Sequence, residues 1–176
     1  MEISARRGLP VGPDEAFAFL SRPHNHHHLV TRRISLHELH VTRDGELHGA
    51  QMVLRGPLWL RRAAQTRLVS VRRPGQLAGT ACVGSGTEVE VRWDLDGAGA
   101  GASVAILTAT VTRLATAERV LLAIGGRAWV QRLFVATLEQ LAAELCKKPG
   151  RICAPRRREG QAWRLPTLIG ANPRWR

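Results

Sequence analysis

Four imidazoles crowd into one short stretch, His24-Asn25-His26-His27-His28. On an α-helix, His24 and His28 would share a face at i and i+4, a spacing that holds zinc once a third ligand joins. No carboxylate or cysteine stands where it would complete that shell. A solvated or cavity-rim cluster is therefore expected, with no metal. His37, His40 and His48 stand apart on stretches of alternating polarity. Any of them facing a cavity would be a candidate general base, since imidazole titrates near neutrality. The ordinary expectation for each is a hydrogen-bonded or exposed ring.

A second chemically able group is the arginine series Arg55, Arg61, Arg62, Arg67, Arg72 and Arg73, spread among apolar residues. On alternating strands most of these belong to the solvent-facing side. One that entered a cavity would offer a planar fork to a carboxylate or enolate, and Arg67, in mid-strand, is the first candidate. The catalytic candidates are thus His37, His40 and Arg67. No nucleophile elbow, phosphate loop, dinucleotide fingerprint or paired-cysteine motif is present. Gly97-Ala98-Gly99-Ala100-Gly101 matches a fingerprint only in composition, because it joins two strands and no helix follows. Nothing in the chain calls for a cofactor.

These residues sit on elements that the hydrophobic pattern marks out. Ile3–Leu9 reads as a first strand, and Asp14 as the N-cap of a short helix, Glu15–Leu20, that Arg22-Pro23 ends. From Arg33 the period becomes two, and strands follow at Leu47–Arg55, Leu58–Val71, Gln76–Val83, Val89–Leu95 and Ser103–Arg113, separated by turns such as Asp44-Gly45 and Pro74-Gly75. The alternation is cleanest where Val89, Val91, Trp93 and Leu95 point one way and Glu88, Glu90, Arg92 and Asp94 the other. One wet face is the mark of an antiparallel sheet. A long amphipathic helix then runs from Thr116, with Leu122, Trp129, Leu133, Phe134, Leu138, Leu141 and Leu145 along one side. Gly125-Gly126 interrupts it at a cost of about 1 kcal/mol per glycine, which implies a bend or a need for room.

The 176 residues suit one domain, at 44% hydrophobic content and a net charge of +12. No segment is long and apolar enough to span a bilayer. Residues 147–176 carry nine Lys/Arg against one acid, Glu159, together with four prolines and no hydrophobic period. They read as a basic, irregular or disordered tail, either a solubilising extension or a contact for polyanions or anionic membranes. Cys82, Cys146 and Cys153 lack metal-like spacing, so reduced thiols and a cytoplasmic setting are expected, with Cys82 in the core.

The chain resembles the START-like or SRPBCC helix-grip superfamily, in the style of its polyketide cyclase/dehydrase and coenzyme Q-binding branches. The resemblance rests on the opening strand followed by Val11-Gly12-Pro13-Asp14-Glu15-Ala16-Phe17-Ala18-Phe19-Leu20, on Gly56-Pro57-Leu58-Trp59, on Val89–Leu95 and on the helix ending Leu138-Glu139-Gln140-Leu141. It covers residues 1–146 and leaves out the tail. It implies an α+β helix-grip fold, a curved seven-stranded antiparallel sheet around a long C-terminal helix, with a short helical segment after strand 1. It also implies a cavity for a lipid-, quinone- or polyketide-like molecule; only some such proteins are enzymes. Trp59, Val89, Val91, Trp93, Trp129, Leu133 and Phe134 are the expected ligand-binding residues, since in a grip fold the core side chains are the pocket wall. The expected function is binding of a hydrophobic small molecule, with an aromatase/cyclase-type enzyme as the alternative. Polyanion binding through the tail is a weaker one. The chain has no tyrosine, which removes one phenolic acid–base group from the enzymatic reading.

Overall fold

In a computed structural model, residues 1–29, 31, 33–43, 45, 47–56 and 60–147 are described. The order is β1 (Glu2–Leu9), α1 (Pro13–Leu20), a 3₁₀-helix (Pro23–Leu29), β2 (Ile34–Val41), β3 (Leu47–Arg55), β4 (Arg61–Arg72), β5 (Gln76–Val83), β6 (Thr87–Gly97), β7 (Ser103–Arg113), α2 (Thr116–Leu121), a π-helical turn (Leu122–Gly126) and α3 (Arg127–Cys146). The seven strands form one antiparallel sheet in the order β1-β7-β6-β5-β4-β3-β2. Strands β2 to β7 make a meander, which short turns allow. Only the link from β1 to β2 crosses the sheet, and α1 with the 3₁₀-helix spans that distance. The expected α+β helix-grip architecture is what the chain adopts.

The sheet owes its curvature to local breaks in strand regularity. Bulges interrupt the pairing of β2 with β3 between Leu36 and Glu38, and of β4 with β5 between Leu68 and Ser70, and bulges bend strands. Two glycines flank β4 where neighbouring backbone closes in. A Cβ on Gly49 would strike the carbonyl of Thr66, and one on Gly79 would lie 2.5 Å from the carbonyl of Arg67. Gly49→Ala is therefore expected to cost on the order of 3 kcal/mol, near the top of the overpacking range, because rigid backbone has to move. Gly8→Ala meets nothing within 4 Å and serves as the control in a comparison of melting temperatures. Equal melting of the two variants would dismiss this account of the bend.

One end of the sheet carries the solid core. Leu138, Leu141 and Leu145 of α3 are almost wholly buried against Leu9, Val11, Phe17, Leu20, Leu95 and Ala105. Their spacing of three and four keeps them on one helix face. The Ser103 hydroxyl donates to the carbonyl of Val11 at 2.7 Å, tying β7 to the start of the crossing segment. Toward its N-terminus α3 loses this tight seat, and there Trp129, Val130 and Phe134 are only half-buried.

Several sequence expectations need correction. The first helix starts at Pro13 with Gly12 as N-cap, and Asp14 lies in the first turn instead of capping it. β4 spans Arg61–Arg72, and residues 57–59, including the expected start at Leu58, lie outside the described ones. Cys82 is exposed, because its cross-strand partners Gln65 and Glu88 share the outer face. Cys146 is disulfide-bonded, so the expectation of reduced thiols does not hold for it. Among the described residues no helix is long and apolar enough to cross a membrane. The tail from 148 onward lies outside the described residues.

Candidate functional site: a cavity between sheet and helix

The sheet's inner face changes character along its length. Near the core a row of large side chains, Val71, Leu77, Trp93 and Leu107, runs across β4, β5, β6 and β7 in register. Farther from the core the inner positions are small: Ala50, Ala64, Gly79, Ala81 and Ala109. Small residues on a curved sheet cannot reach the helix opposite, so a cavity of about 540 Å³ remains between them and α3. Leu122, Trp129, Leu133 and Phe134 close it from the helical side. The walls are overwhelmingly apolar, as in most small-molecule pockets.

Helix geometry over the cavity follows from the glycine pair. Gly125 has φ 112°, a value open to glycine and strained for other residues. It sits in the π-turn that separates α2 from α3, and Gly125 and Gly126 both border the cavity. The interruption expected from Gly125-Gly126 is thus a π-turn that leaves room for the space beneath it.

Of the polar residues on the wall, Arg62 and His26 stand toward opposite ends of the cavity. At the first, Arg62 faces inward beside Leu54, its cross-strand neighbour. Its Nε lies 3.6 Å from Oε1 of Glu118 in α2. Glu118 is 7% exposed, and its Oε2 accepts a hydrogen bond from the Ser85 hydroxyl at 3.4 Å. The Thr87 hydroxyl accepts from the backbone N–H of Ala115 at 3.1 Å, which seats the start of α2 over this end. Arg62 Nε is fully enclosed and has no hydrogen-bond partner among the described residues.

At the other end, His26 of the 3₁₀-helix lines the cavity with Leu20, Ser21 and Arg73. Its Nε2 lies 2.7 Å from the carbonyl of Leu20, so that nitrogen carries the proton and Nδ1 the lone pair. Burial holds the His26 pKa below its ordinary value of 6.5; the bond to Leu20 opposes the shift and neighbouring His27 adds to it. The unfolded chain therefore takes up this proton before the folded one does as pH falls. Stability from this site is complete above about pH 6.5 and declines below it. In melting scans from about pH 8 to about pH 5, His26→Gln should lose less than the parent. Equal losses would remove His26 from the account.

The structure brings Val89, Val91, Trp93, Trp129, Leu133 and Phe134 to the cavity wall, while Trp59 lies outside the described residues. The catalytic candidates fare differently. Arg67 falls with Arg61, Ala63, Gln65 and Val69 on the exposed face, because period two in β4 gives the inner face to Arg62, Ala64, Thr66 and Leu68. Its cross-strand partner Thr80 is likewise exposed; both residues nevertheless border the cavity, and the carbonyl of Arg67 adjoins Gly79. His37 is exposed beside the β2 bulge. His40 lies off the cavity, 3.8 Å from Glu38 and 3.5 Å from Gln51 Nε2. His48 is exposed. His24 and His28 do not share a face, since their segment winds as a 3₁₀-helix with three residues per turn. Among the described residues no group of His, Cys, Asp or Glu is arranged to hold a metal ion.

Sequence reasoning places Arg67 ahead of Arg62 and gives Glu118 no role, while His26 belongs to the cluster expected to be solvated or on a cavity rim. For Arg62 the signal was present: it shares parity with Ala64, Thr66 and Leu68, the apolar side of β4. Glu118 carries no such signal, as an acid in the first turn of a helix is commonplace.

No protein-family model matches the sequence, and a search of curated proteins finds no match. Solved structures do match. A START superfamily protein from Mycobacterium smegmatis is 15% identical, with TM-score 0.57 over 82% of this chain and 93% of that one. A Thermus thermophilus protein, 15% identical, reaches TM-score 0.62 over 82% of this chain and 97% of its own. DynU16, from the dynemicin biosynthetic locus, is 18% identical with TM-score 0.56; the match covers 86% of this chain but 49% of DynU16. The chain thus spans about half the length of DynU16 and nearly all of the other two. Identities this low speak for backbone architecture alone, and with the sheet, helix and cavity described above they establish the START-like helix-grip fold for this chain.

Proposed function

We propose that this protein binds a hydrophobic small molecule, lipid-, quinone- or polyketide-like, in the cavity between its sheet and α3. The observation that carries the reading is the cavity itself, about 540 Å³ of space walled by alanine, valine, leucine and tryptophan side chains. Burial of apolar ligand surface there supplies the affinity. The residues proposed to touch the ligand are Val89, Val91, Trp93, Trp129, Leu133 and Phe134, with Trp59 retained from the sequence. The likeness to a START superfamily protein and to DynU16 supports the reading at the level of fold. The test combines mass spectrometry of organic extracts of the purified protein with titration of Nile red. A co-purified apolar compound, or saturable binding of one dye per chain, is the expected result. An empty extract together with no saturable binding would overturn it.

A cyclase-type enzyme is the second reading, favoured by His26. A neutral imidazole with a lone pair at Nδ1, on the wall of an apolar cavity, is equipped to take a proton from a ligand. Cyclisation of a poly-β-carbonyl thioester faster than in buffer, and lost in His26→Asn, would establish it; no acceleration would remove it. For residues 147–176 the proposal remains a polyanion or anionic-membrane contact built on their charge. Its test is loss of heparin retention on deletion of the tail, with retention fading as salt rises.

A further inference from the structure

We propose that the His26 end of the cavity selects a ligand that carries a hydroxyl proton, a phenol, hydroquinone or alcohol, over one that presents only an ether, ketone or quinone oxygen. The inference rests on the apolar-ligand reading above and narrows its ligand class. It starts from the end of α1, where closing carbonyls lack partners farther along the helix and take side-chain donors. The Ser21 hydroxyl donates to the carbonyl of Phe17 at 2.9 Å, and Nδ2 of Asn25 donates to that of Phe19 at 2.8 Å. His26 completes the set, its Nε2 lying 2.7 Å from the carbonyl of Leu20. A carbonyl can only accept, so Nε2 holds the ring's proton and Nδ1 is left as an acceptor.

That acceptor is within reach of a ligand. Among the described residues, Arg62 Nε is the one side-chain nitrogen or oxygen both enclosed and unpartnered. Nδ1 of His26 makes no hydrogen bond among them either, so it is not enclosed. With Nε2 turned to Leu20, the ring edge that carries Nδ1 turns away from α1, and His26 borders the cavity. Burial keeps the imidazole pKa below its ordinary value, so near neutral pH and above the ring offers a lone pair and no charge. A ligand hydroxyl can donate to it. A ketone or quinone oxygen finds no proton here, because those of Ser21 and His26 are committed to α1. Arg73 also borders this end, but it is exposed, with its guanidinium 5.8 Å from the centre of the Phe17 ring. A hydrated donor gains little by exchanging water for a ligand oxygen.

The test uses naphthol and methoxynaphthalene substituted at the same ring position, which share an oxygen and differ in the hydroxyl proton. Affinities are measured by competition with Nile red at about pH 7.5, where the imidazole is neutral. The parent protein should bind naphthol about fivefold more tightly, the scale of one hydrogen bond between neutral groups. His26→Leu should reverse the order, because a hydroxyl buried without an acceptor is penalised and an ether is not. A second measurement follows the imidazole nitrogens of the parent by NMR. The Nδ1 resonance of His26 should move upfield with naphthol, as a lone pair accepting a hydrogen bond does, and hold its place with methoxynaphthalene. An imidazole that only closes the end of α1 gives no such difference. If His26→Leu shows no cooperative melting transition, the nitrogen resonance decides. Equal or weaker binding of naphthol by the parent, a naphthol preference that survives His26→Leu, or an unmoved Nδ1 resonance overturns the inference and leaves the apolar cavity standing. Binding of neither probe overturns the cavity reading and the inference with it.

Discussion

Leu141→Ala should lower the stability of this protein by about 2–5 kcal/mol, the range for removing a buried leucine side chain from a packed core. Leu141 is wholly buried in the leucine row that seats α3 against Val11, Phe17, Leu20 and Ala105. The surrounding side chains come from β1, the crossing segment, β7 and α3, and elements so differently anchored cannot all collapse into the void. Urea unfolding gives the measurement. Trp129→Ala, on the same helix but facing the cavity, should cost clearly less, because that ring is only half-buried and stands outside the packed core cluster. Equal costs at the two positions would contradict the division of α3 into a packed half and a cavity-facing half.

Ala81→Trp should abolish binding of apolar probes, with affinity falling at least about a hundredfold, while the protein still melts cooperatively. Ala81 lies on the inner face of β5, between Thr66 and Val89 in register, where the small side chain leaves the cavity open. An indole there occupies space that is already empty, so the usual overpacking cost of about 1–3 kcal/mol should be largely escaped. Nile red titration and a melting curve on one sample decide the matter. Retained binding would place the ligand somewhere other than this cavity.

Most of the architecture was legible in the sequence because its signals are periodic. Val89, Val91, Trp93 and Leu95 alternate with charged residues, and that alternation alone assigns β6 an inner and an outer face. Leu138, Leu141 and Leu145 repeat at helical spacing and point to a single seat. The cavity was harder to read, since it arises from what is missing. Ala50, Ala64, Gly79, Ala81 and Ala109 are scattered through four strands and meet only after the sheet has paired in register. The bends were equally silent. Nothing local to Gly49 reveals that the carbonyl of Thr66 will occupy the place of its side chain. Arg67 was preferred to Arg62 on the ground of a mid-strand position, whereas the parity of β4 separates them. In sequence His26 is one of four similar rings, and only the folded segment, which seats it on the cavity wall against the carbonyl of Leu20, singles it out.

The separation of duties along α3 bears on how such a protein changes over generations. The leucines that hold the helix are distinct from the residues that face the cavity, and they lie nearer its C-terminus. Substitutions at Trp129 or Val130 can reshape the cavity without drawing on the core contacts that keep the chain folded. Selection for a new ligand then meets little resistance from selection for folding. A lineage built this way can re-line its interior repeatedly while the backbone persists.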